Sequence, residues 1–180
     1  MKDFLLRRAQ KPHSPLHRWV ALVGGAILFW IVIPLLLVAL SLLLTFWLRL
    51  PPLPASGWLV GLGLLLMVLG SLLDLWVIYY QHTQGKGSPS PLVPTQRLVQ
   101  EGPFAYSRNP MYIGTLTIYT GLALVLGSVA MLLLVALGAL LVHAYVVLVE
   151  EKEMAARFGE EYSAYKKRVP RWLPLRGKRG

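Results

Sequence analysis

Three apolar blocks dominate this chain, and they are too long and too uninterrupted for a soluble core. The first runs from about Trp19 to Leu48, the second from about Gly57 to Tyr80, and the third from about Met111 to Val149. A helix needs about 20 apolar residues to cross a hydrocarbon core of about 30 Å. The first two blocks each suffice for one span. The third is too long for one, and Gly127-Ser128 near its middle offers a place to turn, so it reads as a tight helical hairpin. No water reaches the bilayer core to satisfy open backbone groups, so the spans must be helices. The expectation is an all-α integral membrane protein with about four transmembrane helices, over residues 19–48, 57–80, 111–126 and 129–149. Hydropathy also admits a version in which half of the hairpin is re-entrant.

The basic residues orient these spans. Lys2, Arg7, Arg8, Lys11 and Arg18 precede the first, Lys86, Arg97 and Arg108 lie in the long middle loop, and nine more follow the last. Only Arg49 falls in the short connection from Arg49 to Ser56. The positive-inside rule then places both termini and the middle loop in the cytoplasm. That bias, with attraction to anionic lipid, accounts for the net charge of +10 without nucleic-acid binding, for which no motif is present. The compact, Leu-rich chain suits a bacterial cytoplasmic membrane. The first block is too long for the core of a signal peptide and ends without a small-residue cleavage site, so it is expected to remain as a helix.

Residue usage excludes several chemistries. There is no cysteine, which removes disulfides, iron–sulfur clusters and thiolate nucleophiles. His13, His17, His82 and His143 are scattered without metal-ligand spacing, so no metal site is expected. His143 lies within the last span and reads as an interhelical hydrogen-bonding group or as a site residue.

The most informative local stretch is Gly102-Pro103-Phe104-Ala105-Tyr106-Ser107-Arg108-Asn109-Pro110-Met111-Tyr112-Ile113-Gly114. It sets polar, aromatic and cationic side chains directly against an apolar helix. Asn109 is a good N-cap and Pro110 suits the first helical position, so a helix should begin there. Its first N–H groups, with Arg108 beside them, form a potential site for an anionic group. After the last span, Glu150 and Glu151 sit at the apolar boundary, either as a solvated helix exit or as ligands for a cationic group. Glu153 and Arg157 are spaced to pair on one face. Gly159 should end that helix, a short helix from Glu160 to Arg168 should follow, and Pro170 and Pro174 should stop it. The loop from Gln81 to Gln100 carries Gly85-Lys86-Gly87-Ser88-Pro89-Ser90-Pro91 and reads as a partial lid rather than a free linker. The whole chain reads as one domain.

These segments together resemble the isoprenylcysteine carboxyl methyltransferase and phospholipid methyltransferase superfamily of integral membrane enzymes. The likeness covers roughly Gly85 to Pro174, in two blocks at about 85–114 and 150–174. It implies methyl transfer from S-adenosylmethionine to a lipid or lipid-like acceptor. It also implies a cofactor pocket formed by the cytoplasmic loop and the C-terminal helical segment. Carried over on the motifs, Arg108, Asn109, Tyr112, Glu150 and Glu151 line that pocket, with Gly102, Pro103, Tyr106, Pro110, Gly114, Tyr162 and Tyr165 in the same segments. Position 109 is Asn where many members carry His, which puts in doubt any role needing a titrating imidazole.

The chemistry fits those residue types. Arg108 and the helix N-terminus suit the donor's carboxylate, and Glu150 or Glu151 suits its ammonium or ribose hydroxyls. Tyr106, Tyr112 or Phe104 suits the sulfonium or adenine, and Tyr162, Tyr165 and Trp172 could close the pocket. Arg108, Glu150, Glu151 and Asp74 are therefore the catalytic candidates. Asp74, two turns before the cytoplasmic end of the second span, is either a structural partner or the base that an amine acceptor would need. Two other readings stand beside this one. A reductase of related fold would use NADPH, with Lys166, Lys167 and Arg168 on its 2′-phosphate, or else on anionic lipid. A non-enzymatic membrane scaffold or transport subunit would need none of the clustered Arg, Asn, Tyr and Glu.

Overall fold

In the computed structural model, the described residues are 20, 23–54, 56–85 and 95–173. Among them there is no strand, only one isolated antiparallel bridge between Pro52 and Ser128. The helices are α1 (Val23–Leu48), α2 (Gly57–Thr83), α3 (Pro110–Val125), α4 (Val129–Tyr145) and α5 (Glu151–Arg168). A π-helical turn, Leu28–Val32, lies within α1, and another, Val146–Glu150, joins α4 to α5 without a break. The basic N-terminal tail and the Gly-Ser-Pro run of the middle loop lie outside the described residues.

Three helices are long and apolar enough to cross a membrane: Val23–Leu48, Gly57–Thr83 and the continuous Val129–Arg168. The chain is an integral membrane protein. The helix Pro110–Val125 is apolar but shorter, and its 16 residues rise about 24 Å at 1.5 Å each. Large apolar side chains such as Leu35, Leu42, Phe46 and Leu140 are exposed, which suits helices bathed in lipid.

Local chemistry sets the ends of these helices. The first one closes at Arg49 in the left-handed region, with Pro51 and Pro52 preventing further helix. The α3–α4 hairpin turns through Leu126, Gly127 and Ser128, where Ser128 Oγ accepts the Met131 N–H at 3.1 Å and so caps α4. Within α5, Gly159 has φ 52° and ψ −122°, a conformation that essentially only glycine adopts. The helix therefore kinks there into two pieces. The pairing expected along its first piece forms, with Arg157 Nη1 3.5 Å from Glu153 Oε1.

The residues fall into two compact units, one of Ala26–Asp74 and Met111–Tyr145, the other of Met1–Gly25, Leu75–Pro110 and Val146–Gly180. The core of the first is built on Tyr119, Ala123, Met131 and Val135, with Leu37, Leu116 and Leu132 packed against them. Tyr119 Oη donates to the Phe29 carbonyl at 2.6 Å, inside the π-helical turn of α1. Such a turn frees a carbonyl from the regular ladder, and the phenol satisfies it in a region without water.

Within this unit α2 and α3 run antiparallel and almost touch. A Cβ on Gly63 would lie 2.6 Å from the Gly121 carbonyl, and one on Gly70 the same distance from the Gly114 carbonyl. Both pairs are spaced by one heptad, so one face of each helix is pared down to backbone at two points. Lipid supplies no hydrophobic drive for helix association, and close packing of this kind replaces it.

Asp74, one turn beyond Gly70, uses the same gap. It is 1% exposed, accepts a hydrogen bond from Thr115 Oγ1 at Oδ2 (3.1 Å), and places Oδ1 2.1 Å from where a Cβ of residue 114 would be. A methyl group at position 70 must push the helices apart, at about 1–3 kcal/mol for overpacking, which exceeds the gain of about 1 kcal/mol from replacing helical glycine. Gly70→Ala is expected to lower the melting temperature of the detergent-purified protein by several degrees. Gly138→Ala, where nothing lies within 4 Å, should not lower it.

Candidate functional site

The loop Gly102–Asn109 is fixed from both sides by its own unit. Gly102 adopts φ +57°, and a Cβ there would lie 2.5 Å from the Tyr80 ring, so only glycine lets the loop start against that ring. Pro103 follows in a short 3₁₀ turn and is buried. Opposite, the end of α5 and the residues after it clasp the loop. Tyr165 Oη donates to the Phe104 carbonyl at 2.7 Å, and the Arg108 N–H donates to the Pro170 carbonyl at 2.9 Å. Ser107 Oγ and Asn109 Nδ2 both donate to the Arg171 carbonyl, at 3.2 and 3.0 Å. The Asn109 amide therefore ties this clasp together at the residue before α3.

Glu151 is the centre of the charge cluster. Arg108 Nη1 reaches its Oε1 at 2.8 Å, Arg171 Nε reaches the same oxygen at 2.6 Å, and Lys166 Nζ reaches Oε2 at 3.0 Å. The Arg108 and Glu151 side chains are each 8% exposed, against 31% for Arg171 and 40% for Lys166. Arg108 Nη1 also donates to Tyr162 Oη at 3.3 Å, while its Nε is buried with no partner among the described residues. Burial alone would favour the neutral form of Glu151. The hydrogen bonds from Arg171 and Lys166 and the nearby guanidinium charges outweigh it and hold the carboxyl down at about 2. Burial pushes the Tyr162 and Tyr165 phenols up.

The return arm of the middle loop joins the same unit. Arg157 donates to the Thr95 carbonyl, and Gln100 bonds both Glu161 (2.9 Å) and Arg168 (2.7 Å). These contacts lay residues 95–100 along α5, while the remainder of the expected lid is outside the described residues.

Of the residues expected to form the site, Gly102, Pro103, Tyr106, Arg108, Asn109, Pro110, Glu150, Glu151, Tyr162 and Tyr165 belong to this unit. Tyr106 is exposed, and Glu150 is half-buried at the end of the π-helical turn. Trp172, half-buried, follows Arg171. Tyr112, Gly114 and Asp74 belong to the other unit, where Gly114 is the floor against which Asp74 rests. His143 is exposed on α4. No group of three metal-ligating side chains occurs among the described residues.

Arg171 and Ser107 were not foreseen. Arg171 follows the helix-stopping Pro170 among many bases, and nothing in the local sequence separates it from a lipid-facing arginine. Lys166, named above for a phosphate or for lipid, reaches Glu151 Oε2 at 3.0 Å.

Removing the carboxylate strands buried Arg108, and breaking a buried pair in this way costs about 3 kcal/mol or more. Glu151→Gln is expected to destabilise the purified protein by that amount, whereas Glu153→Gln, at a carboxylate 30% exposed and 3.5 Å from an Arg157 that also donates to the Thr95 carbonyl, should cost less. Thermal denaturation compares them. The Glu151 value in the folded chain lies below its ordinary 4.5, so acid protonates the unfolded chain first. The cluster's contribution should be complete above pH 4.5 and vanish as pH falls through about 2, which acid titration of near-ultraviolet circular dichroism would follow.

A family model described as phospholipid methyltransferase matches residues 58–161, more than half of the chain. The chain is 33% identical over 78 residues to the protein-S-isoprenylcysteine O-methyltransferase of Schizosaccharomyces pombe, covering 43% of this chain and 33% of that protein. The chain thus spans a third of the length of that curated relative. Its fold resembles the solved structure of the eukaryotic intramembrane Ras methyltransferase ICMT (isoprenylcysteine carboxyl methyltransferase), with TM-score 0.57 and 22% identity over 92% of this chain and 55% of that one. The match that takes in both α2 and the Arg108 loop places the chain in the phospholipid methyltransferase family.

Proposed function

We propose that this is an integral membrane methyltransferase that uses S-adenosylmethionine and acts on a lipid or lipid-like acceptor. The acceptor group is either an isoprenylcysteine-type carboxylate, methylated on oxygen, or a phospholipid amine, methylated on nitrogen. The observation that carries this reading is that the family match contains both Arg108 and Glu151, which are 43 residues apart in the chain and 2.8 Å apart in space. Both termini and the loop of residues 81–100 then face the cytoplasm, on the side where the basic residues gather.

The side chains present fit the donor. The buried Nε–H of Arg108, unpartnered among the described residues, is a donor of the kind a carboxylate takes. Glu151 is committed to three protein cations, so its part in this reading is to hold Arg108, and Glu150 is the acidic candidate for the donor's ammonium. Exposed Tyr106 offers a ring face to adenine or to the sulfonium. When bound, S-adenosylmethionine supplies an electrophilic methyl group. The chain binds, orients and excludes water, which are the main requirements of an in-line transfer.

Calorimetric titration of the detergent-purified protein with S-adenosylmethionine, with NADPH as the comparison ligand, tests the reading. Saturable binding of S-adenosylmethionine alone is expected. Arg108→Ala should weaken it by about tenfold or more, since a charge-assisted hydrogen bond contributes about 1.5–3 kcal/mol. Binding of NADPH alone would favour the reductase instead.

A further inference from the structure

The chain leaves the membrane at Glu150 and returns to the same boundary at Arg171. The last apolar run ends at Val149, so Glu150 and Glu151 mark the edge of the hydrocarbon. The first piece of α5 then carries the chain about 12 Å along its axis, at 1.5 Å per residue, to the kink at Gly159. The second piece brings it back, with Lys166 Nζ 3.0 Å from Glu151 Oε2 and Arg171 Nε 2.6 Å from Oε1. The backbone returns as well. The Arg171 carbonyl accepts from Asn109 Nδ2 at 3.0 Å, and Asn109 precedes the apolar block that opens at Met111. Residues 166–173 are thus fixed at the edges of two apolar runs.

That segment reads Lys166-Lys167-Arg168-Val169-Pro170-Arg171-Trp172-Leu173, with four cations and no carboxylate. Val169 is buried against Tyr162 and Tyr165, so one face belongs to the protein core. Lys167 and Arg168 are exposed and form no ion pair among the described residues. Arg168 meets only the neutral Gln100, at 2.7 Å. Leu173 is 62% exposed, and among the described residues beyond Val149 no other large apolar side chain is left so open. Trp172 beside it is half-buried. A lone exposed leucine is ordinary on a surface that faces water. Beside a tryptophan, following four cations and level with the hydrocarbon edge, it completes the pattern of an interfacial anchor. A soluble phosphate could meet the same cations, but it would leave Leu173 in water.

We infer that residues 166–173 are a docking surface for anionic phospholipid headgroups, with Trp172 and Leu173 set into the headgroup layer and Lys167 and Arg168 on its phosphates. The same segment supplies Lys166 and Arg171 to Glu151, so seating it on the membrane holds the charge cluster closed.

The chain has no cysteine, so Leu173→Cys accepts a single nitroxide label on the full chain. The labelled protein is placed in liposomes of dioleoylphosphatidylcholine, alone or with about 30 mol% dioleoylphosphatidylglycerol. Collisions with oxygen, which concentrates in the bilayer, are compared with collisions with a water-soluble nickel chelate present on both sides. In the anionic liposomes the label at position 173 should favour oxygen. Its nickel collisions should rise about threefold or more in phosphatidylcholine alone or at high salt. A label at Glu160→Cys, just past the kink, should favour nickel in both lipids. Lys167→Gln combined with Arg168→Gln should remove the dependence on lipid charge. A label at 173 as open to nickel in anionic liposomes as the one at 160 overturns the inference. Equal shielding in the two lipids, unaffected by salt, also overturns it, because the protein's own surface would then be what covers Leu173. Dependence on lipid charge that survives in the double variant overturns the assignment of Lys167 and Arg168.

Discussion

One buried carboxylate organises the C-terminal half of this protein. Glu151 draws Arg108 from the loop before α3, Lys166 from the far piece of α5, and Arg171 from the segment after it. A solvated ion pair contributes little to stability, but this one is nearly enclosed, and removing its anion would leave a guanidinium without water or partner. The kink at Gly159 belongs to the same arrangement, because Lys166 comes from the helical piece beyond it while Glu151 heads the piece before it. Pro170 then ends regular structure, so that the Pro170 and Arg171 carbonyls can accept from the backbone of Arg108 and the side chains of Ser107 and Asn109.

The membrane unit follows a different rule. Burying leucine gains nothing over leaving it in lipid, so helices associate through close backbone approach and through polar groups that find partners. The glycine pairs of α2 and α3 supply the first, and Asp74 with Thr115 and Tyr119 with Phe29 supply the second. Gly114 serves both, since the space its missing side chain leaves is where Asp74 sits.

Much of this was legible from residue order. The third apolar block exceeded one span, and the hairpin turns through Gly127 and Ser128. Asn109-Pro110 marked the start of α3, and Gly159 marked the break in α5, because proline and glycine restrict or release the backbone wherever they stand. Family resemblance put Arg108 and Glu151 in one pocket but not in contact with each other, as the two are far apart in sequence and their ion pair comes from tertiary placement. Arg171 was hidden because its role comes from tertiary placement. The two π-helical turns were hidden as well. They lie in or beside apolar runs whose composition is that of ordinary helix.

The central claim is that Arg108 and Glu151 act as one unit in holding the methyl donor. A double-mutant cycle of Arg108→Gln and Glu151→Gln, read as S-adenosylmethionine affinity, tests it most directly. The account predicts that the double variant binds no more weakly than the worse single variant, a coupling of about 1.5 kcal/mol or more. Losses that simply add would contradict it.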